Sequence, residues 1–127
     1  METMIILALL LALFTKHFYV DFPLQTPYQW QNKGTYGHPG GLLHSFLHGV
    51  GTFIVVLIFT TNLWLAIVVG LFDFVIHYHV DWAKMNINKK YGWKADTHPE
   101  FWTLLGADQY LHAVTYLAIA GAVAFYS

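Results

Sequence analysis

Residues 63–81 read LWLAIVVGLFDFVIHYHVD, and this stretch decides the fold. Its first ten residues contain no ionisable side chain. An apolar run of about 18 residues forms a helix about 27 Å long, close to the roughly 30 Å hydrocarbon core of a bilayer. The stretch therefore predicts a membrane-spanning helix over residues 63–80.

Three further apolar segments lie at about residues 3–20, 41–59 and 101–126. Only Thr60, Thr61 and Asn62 separate the second and third predicted helices, as expected for a tight turn between antiparallel neighbours. The first segment lacks a basic leading region and a small-residue cleavage site, so we expect a retained helix rather than a signal peptide. Because helices satisfy their own backbone groups in lipid, the predicted fold is an all-α, polytopic membrane four-helix bundle, a single domain over residues 1–127.

The composition excludes several classes of protein. Hydrophobic residues make up 57% of the chain and charged residues 10%, whereas an ordinary soluble domain has about 25% charged residues. A small soluble domain must cover much of its surface with polar groups, and six basic and seven acidic side chains are too few. Without arginine the chain has no basic face for phosphates, so we expect no nucleic-acid partner. Without cysteine it has no disulfide, zinc thiolate or cysteine nucleophile.

The lysines predict the orientation of the helices. All six fall on one side of the predicted bundle: Lys16, Lys33, Lys84, Lys89, Lys90 and Lys94. We place Lys16 and Lys33 at and after the end of the first helix, and the other four in a loop between the third and fourth helices. The positive-inside rule then places the two longer loops in the cytoplasm and both termini outside. We expect an integral membrane protein whose main partner is the lipid bilayer, and the sequence allows a homo-oligomer.

Ionisable residues inside the predicted helices share one spacing. Asp73, His77 and Asp81 follow one another at intervals of four. The same interval separates the members of three further pairs, His17 and Asp21, His44 and His48, and Asp108 and His112. Residues four apart lie on one face of a helix, and all of these fall in the cytoplasmic half of the predicted bundle. Because such groups are costly in lipid, we expect the four faces to converge on the interior.

Neutral imidazoles and ionised carboxylates are normal ligands of divalent metals. The predicted metal ligands are His17, Asp21, His44, His48, His77, Asp81, Asp108 and His112. These donors exceed the needs of one tetrahedral ion, so we predict one or two divalent ions, of zinc, iron or manganese. A structural hydrogen-bond network and a proton or ion pathway are the alternatives, although the outer half offers no polar continuation for a pathway.

Other polar residues are weaker candidates. Asp73 is the predicted general base, and Lys84, three residues after Asp81, is either a catalytic residue or an interfacial anchor. The predicted substrate-binding residues are Gln25, Lys33 and Gln109. The run His77-Tyr78-His79 leaves open which of its two histidines faces the site.

These motifs carry a resemblance. They are His17-x3-Asp21-Phe22-x-Leu24-Gln25, His44-x3-His48-Gly49, Asp81-x2-Lys84 and Asp108-Gln109-x-Leu111-His112. Over nearly the whole chain they resemble a family of small integral-membrane proteins called domain of unknown function 3307. The resemblance implies a four-helix membrane protein of bacterial or phage origin, and hence a bacterial inner-membrane location. It implies no activity.

The functional hypothesis rests on the donor set. We expect a membrane-embedded metalloprotein, a metal-dependent hydrolase that acts on a lipid or phosphate-bearing substrate at the cytoplasmic interface. The alternatives are a proton- or ion-conducting or structural membrane protein, and a di-iron redox protein, because redox centres use the same donors.

Overall fold

The computed structural model describes all 127 residues and is entirely helical apart from turns and loops. Five helices follow in order: α1 Thr3–Asp21, α2 Pro27–Trp30, α3 Pro39–Phe59, α4 Leu63–Tyr91 and α5 Pro99–Tyr126. The predicted all-α class is therefore confirmed. Helices α1, α3 and α4 are long and apolar enough to cross a membrane. Helix α5 is not among them, because glutamine, histidine, threonine and tyrosine dilute its apolar residues.

Local sequence signals set the helix ends. Helices α2, α3 and α5 each begin at a proline, whose fixed φ suits the first helical turn. The Asn62 side chain caps α4 by accepting a hydrogen bond from the Leu65 backbone N–H at 3.0 Å. Helix α4 ends at Tyr91, and the residue that follows, Gly92, adopts the left-handed conformation with φ 65° that glycine tolerates best.

The structure differs from the prediction at the end of α4. We expected the helix to end near residue 80, but it continues to Tyr91. Residues 82–91 contain neither glycine nor proline, and the first residue that stops the helix is Gly92. Lys84, Lys89 and Lys90 therefore lie on α4 rather than in a loop. The short helix α2 also interrupts the loop between α1 and α3.

The four long helices contact one another in the order α1, α3, α4, α5 and back to α1, and α2 packs on α3. Two glycines allow α3 and α4 to approach closely. A Cβ atom on Gly49 would lie 2.8 Å from the Gly70 carbonyl oxygen, and one on Gly70 would lie 3.0 Å from the Gly49 oxygen. Small residues at such a crossing bring two helix backbones together.

The interior is divided along the helix axes. Near the termini and the turn at residues 60–62 lies a cluster of ten buried residues that we call the apolar cluster: Leu9, Leu13, Val56, Leu65, Ala66, Val69, Tyr116, Ile119, Ala120 and Val123. At the other end lie buried histidines and aspartates. Buried polar or charged residues number thirteen, against twelve buried hydrophobic residues, which is unusual for an interior.

Candidate metal centre

The predicted ionisable stripes meet in the interior. We call the eight residues that form this meeting point the polar cluster: His17, Asp21, His44, His48, His77, Asp81, Asp108 and His112. All of them except His17 are buried, and the His17 side chain is 12% exposed. Helices α1, α3, α4 and α5 contribute two residues each, four positions apart, so one face of each helix supplies the cluster.

Asp21 is the hub of the first donor group. Its Oδ1 atom lies 3.0 Å from His44 Nε2, 2.8 Å from His48 Nε2 and 3.7 Å from His77 Nε2. The ligand atoms of these four residues all lie within 4.8 Å of one another. One carboxylate and three imidazoles at this spacing match the ligands of a four-coordinate transition metal.

Asp81 is the hub of a second donor group with His77 and His112. Its Oδ2 atom lies 3.1 Å from His77 Nε2, and its Oδ1 atom lies 3.2 Å from His112 Nε2. The ligand atoms of this trio also lie within 4.8 Å of one another. Asp108 adjoins the trio, because its Oδ1 atom is 3.2 Å from His112 Nε2. The two donor groups therefore share His77.

The imidazole rings form a stack centred on His77. Its ring centroid lies 3.6 Å from that of His48 and 3.9 Å from that of His112, with interplanar angles of 22° and 16°. This places His77 on the stripe that faces the centre. His79 is exposed and takes no part in the polar cluster: its Nδ1 donates to the Val75 carbonyl, and its Nε2 lies 2.9 Å from Tyr36 Oη.

Several atoms of the polar cluster are buried without a hydrogen-bond partner. They are both ring nitrogens of His77, Asp81 Oδ2 and Asp108 Oδ1. An unsatisfied buried polar group costs about 1–3 kcal/mol, and more when it is charged. Asp21 Oδ1 already accepts a hydrogen bond from His48 Nε2 at 2.8 Å, and His77 Nε2 lies beyond hydrogen-bond distance of it at 3.7 Å. A cation bound among these atoms would satisfy several of them together.

The surroundings of His44 fit a metal ligand. Its Nδ1 atom lies 3.3 Å from Gln29 Oε1, an oxygen that only accepts, so Nδ1 carries the ring proton. With the proton on Nδ1 alone, Nε2 faces Asp21 Oδ1 at 3.0 Å as a second acceptor, an arrangement that a cation between the two atoms would satisfy. A carbonyl that accepts from the other ring nitrogen of a ligating histidine, and so orients the ring, is common at metal sites.

His48 has a different environment. Lys16 Nζ lies 3.0 Å from its Nδ1 atom, and an ammonium group only donates, so Nδ1 accepts. The ring proton therefore lies on Nε2 and reaches Asp21 Oδ1 at 2.8 Å. A metal that takes this nitrogen displaces the proton, as metal binding to protonated ligands generally does.

A buried network adjoins the cluster on the side of the apolar cluster. We call it the Lys16 network, and its members are Lys16, Thr52, Asp73 and Tyr116. Lys16 Nζ donates to Asp73 Oδ2 at 2.9 Å and to Tyr116 Oη at 2.8 Å, and the Thr52 hydroxyl also donates to Asp73 Oδ2 at 2.5 Å. Asp73, the predicted general base, therefore has its Oδ2 atom engaged, and its carboxylate forms no hydrogen bond or ion pair with a member of the polar cluster.

His17 flanks the centre. Its Nε2 atom lies 2.8 Å from Gln109 Oε1 and 3.1 Å from Asp21 Oδ2, both acceptors, so Nε2 carries the proton. Its Nδ1 atom accepts from Tyr116 Oη at 3.1 Å. His17 and Asp108 lie outside the two donor groups, and the other six predicted ligands lie inside them.

The remaining predicted site residues are placed as follows. Gln109 bridges His17 and Asp108, because its Nε2 atom donates to Asp108 Oδ2 at 3.0 Å. The Gln25 side chain donates to the Asp21 backbone oxygen at 2.6 Å. Lys33 Nζ lies 3.6 Å from Asp81 Oδ2, whereas Lys84 is half-buried and forms no ion pair or side-chain hydrogen bond. Lys33 is thus the cation beside Asp81.

Sequence reasoning missed three residues that surround the centre, Gln29, Thr52 and Tyr116. Each lies four positions beyond a residue that it had singled out: Gln25, His48 and His112. Continuing the helical spacing by one turn would have found Thr52 and Tyr116, whereas Gln25 lies between α1 and α2 and shares no helix with Gln29. Lys16 carries no such signal, because it is adjacent to His17 and off the stripe.

The geometry defines an all-helical protein with a buried histidine–aspartate centre at one end of its interior. The chain belongs to the family described as protein of unknown function (DUF3307), which matches residues 9–127 and confirms the resemblance found in the sequence. No curated protein matches the chain. No solved structure matches it.

Proposed function

We propose that this protein is an integral-membrane metal-dependent hydrolase, with its metal centre at the cytoplasmic end of a four-helix bundle. The observation that carries the proposal is the pair of donor groups that share His77, with ligand atoms inside each group within 4.8 Å of one another. Each of the four long helices contributes ionisable residues to this arrangement, and buried ionisable groups are kept where they serve a function.

The outer surface supports the membrane location. Large apolar side chains cover it, among them Trp64 at 76% exposure and Phe125 at 80%. A water-soluble monomer rarely exposes apolar patches of this extent. Helix α5 is the fourth span in this proposal, since its 28 residues exceed the roughly 20 that a bilayer requires. By its family resemblance, we assign the protein to a bacterial inner membrane, encoded by a host or a phage.

The lysines support the orientation. Lys84, Lys89 and Lys90 lie on the last turns of α4 and Lys94 follows it, so these cations share one end of the molecule with Lys33, whereas Lys16 is buried and paired with Asp73. This end is cytoplasmic and both termini are outside by the positive-inside rule. A reporter that is active only in the cytoplasm, fused after Ser127, is expected to give no signal. A strong signal would reverse the orientation.

The donor set supports the chemistry. Zinc, manganese and iron accept imidazole and carboxylate ligands, and a divalent ion in such a site supplies hydroxide at neutral pH and polarises the bond to be broken. Asp21, His44, His48, His77, Asp81 and His112 would hold the metal, and Asp108, which adjoins His112, would add a carboxylate. Gln29 and His17 would orient His44 and Asp21. Hydrolysis of an ester then consumes one water and yields an acid and an alcohol.

The apolar cluster argues against the alternative of an ion or proton conductor. Beyond the Lys16 network, it fills the interior toward the opposite end of the helices with apolar side chains. A conducting path needs polar groups or water along its whole length.

Metal analysis tests the proposal. The protein purified in mild detergent and loaded separately with zinc, manganese or iron is expected to retain one or two ions per chain after gel filtration. It should then hydrolyse p-nitrophenyl phosphate, and chelation should abolish the activity. Retention of no metal would overturn the proposal. Retained iron that cycles between oxidation states without any hydrolysis would replace it with the di-iron redox function.

A further inference from the structure

The two donor groups of the polar cluster are unequal. We propose that the Asp81 side is a coordinatively open metal position that binds the terminal phosphate of a phosphate monoester, with Lys33 as the second phosphate ligand. This inference rests on the proposed function and names its substrate class. The Asp21 side, in contrast, holds a closed position with no role in substrate binding.

The closed position follows from the number of donors. His77 Nε2 has one lone pair, so it serves only one of the two groups that share it. With Asp21, His44 and His48 it completes four ligands, and the three histidines are fully buried. Four protein ligands around a metal are typical of a site without an open coordination position.

The open position is formed by the donors that remain on the Asp81 side once His77 is assigned to the Asp21 side. Asp81 and His112 keep their contact at 3.2 Å, and Asp108 adds a carboxylate at 3.2 Å from His112 Nε2. Asp81 Oδ2 and Asp108 Oδ1 are both buried without a hydrogen-bond partner. Three protein ligands leave a fourth coordination position for water or substrate, as in catalytic metal sites.

Lys33 is the cation beside this position. Its Nζ atom lies 3.6 Å from Asp81 Oδ2, and its side chain is 12% exposed, so it can be reached by a ligand. Lys16 cannot serve in this way, because its ammonium is held by Asp73 and Tyr116 inside the Lys16 network.

The segment around Lys33 is fixed to α4. Asn86 donates to the Gly34 carbonyl at 2.9 Å, Tyr78 Oη accepts from the Gly37 N–H at 2.5 Å, and Tyr36 Oη pairs with His79 at 2.9 Å. These contacts place the Lys33 backbone beside the Asp81 turn of the same helix. His79, which the centre does not use, thus helps to position Lys33.

The charge balance selects the ligand. Asp21, Asp81 and Asp108 contribute three negative charges. Two divalent metals and Lys33 would contribute five positive charges, so the site would carry two net positive charges before a ligand binds. The Asp73 carboxylate is neutralised by Lys16 and does not enter this balance. A terminal phosphate carries close to two negative charges at neutral pH, whereas a carboxylate or a phosphodiester carries one. A buried site disfavours any uncompensated charge, so the dianion fits best.

Calorimetric titration of inorganic phosphate into the metal-loaded protein tests the assignment. Wild type is expected to bind phosphate at least tenfold more tightly than acetate. Lys33→Met should weaken phosphate binding about tenfold, because it removes a charge-assisted contact, and Lys33→Arg should retain most of the affinity. Lys89→Met, which removes an exposed lysine from the same helical end, is the matched control and should bind phosphate like wild type.

Metal content separates this inference from the proposed function. Asp108→Asn is expected to reduce the content from two ions to one and to abolish phosphate binding. If metal is retained but Lys33→Met binds phosphate like wild type, or if acetate binds equally well, the substrate assignment is wrong and the metalloprotein stands. If Asp108→Asn loses both ions together, the two unequal positions are wrong. If wild type holds no metal, both proposals are overturned.

A final comparison distinguishes two sources of the phosphate. The metal-loaded protein in nanodiscs that contain phosphatidic acid is compared with the same protein given soluble p-nitrophenyl phosphate. Release of inorganic phosphate from either substrate, reduced in Lys33→Met, supports the assignment and identifies the source as a lipid headgroup or a soluble ester. Release from neither substrate overturns it.

Discussion

The two halves of the interior are built on the same four helices but differ in the interactions between their side chains. In the apolar cluster, residues such as Leu13 and Val56 pack without a polar partner. In the polar cluster, carboxylates and imidazoles occupy the same inward faces of the helices, one to three turns away along each helix. The first half needs only packing, whereas the second leaves His77 without a hydrogen-bond partner. The difference shows which half the protein maintains at a cost in stability.

The largest effect is expected from His77→Ala, because both donor groups include this residue. The variant should bind the metal more than a hundredfold more weakly than wild type. Loss of a residue that only orients a ligand already lowers metal affinity by about 10–100-fold, and loss of a ligand itself should lower it more. His48→Ala and His112→Ala should each lose metal as well. His98→Ala, in the loop before α5, should leave the content unchanged.

Elemental analysis after gel filtration and melting temperature with and without chelator measure these effects. If chelator leaves wild-type melting unchanged while the His48 and His112 variants still melt lower, the polar cluster is a structural hydrogen-bond network.

The effect expected from Lys16→Met, in the Lys16 network, is on stability rather than on metal affinity. The change leaves the buried Asp73 carboxylate without its cation, which costs about 3–5 kcal/mol. The double variant Lys16→Met/Asp73→Leu should recover most of this loss, because an apolar pair replaces the ion pair. Chemical unfolding in mixed micelles measures both. A double variant no more stable than Lys16→Met would show that the ion pair is not the source of the loss.

A change in the apolar cluster should affect stability alone. Leu13→Ala removes a fully buried side chain and is expected to cost about 2 kcal/mol of unfolding free energy, mainly through lost packing. Metal content should stay at the wild-type value, since Leu13 belongs to the apolar cluster and supplies no donor atom. A loss of metal in this variant would mean that the two halves are coupled and would remove the contrast between them.

The smallest effect is expected from Gln29→Leu. The variant loses the acceptor that orients His44 through Nδ1, so metal affinity should fall about tenfold while the fold is kept. Competition with a chelating dye measures the affinity. Gln31→Leu, an exposed glutamine two residues away, is the control. Equal affinities in the two variants would remove Gln29 from the support of the centre.

Much of the fold was predictable because it depends on local signals. Long apolar runs and the turn at Asn62 predicted the helices, and the interval of four predicted which faces would meet. The end of α4 was missed because the prediction followed hydropathy, whereas the helix follows backbone propensity and stops only at Gly92. A helix can therefore continue past the residue at which its sequence ceases to be apolar.

The site was predictable where it repeats along a helix and not where it depends on packing between helices. The partnership of Lys16 with Asp73 joins residues 57 positions apart. Likewise Lys33, rather than Lys84, approaches Asp81 because the segment before α3 folds back on α4. No spacing along the chain encodes either contact, since both depend on how separate helices are oriented.

The extension of α4 has a practical consequence for imaging. Asp81 lies 18 residues after Leu63, about 27 Å along the helix, and Tyr91 lies about 15 Å further, which in the proposed membrane orientation is beyond a hydrocarbon core of about 30 Å. At 14.5 kDa the proposed membrane protein would offer few features outside the bilayer for particle alignment in electron cryomicroscopy. A rigid helical fusion of a soluble domain at Tyr91 would continue α4 without a flexible joint. The fused domain would report the direction of the helix that carries the centre.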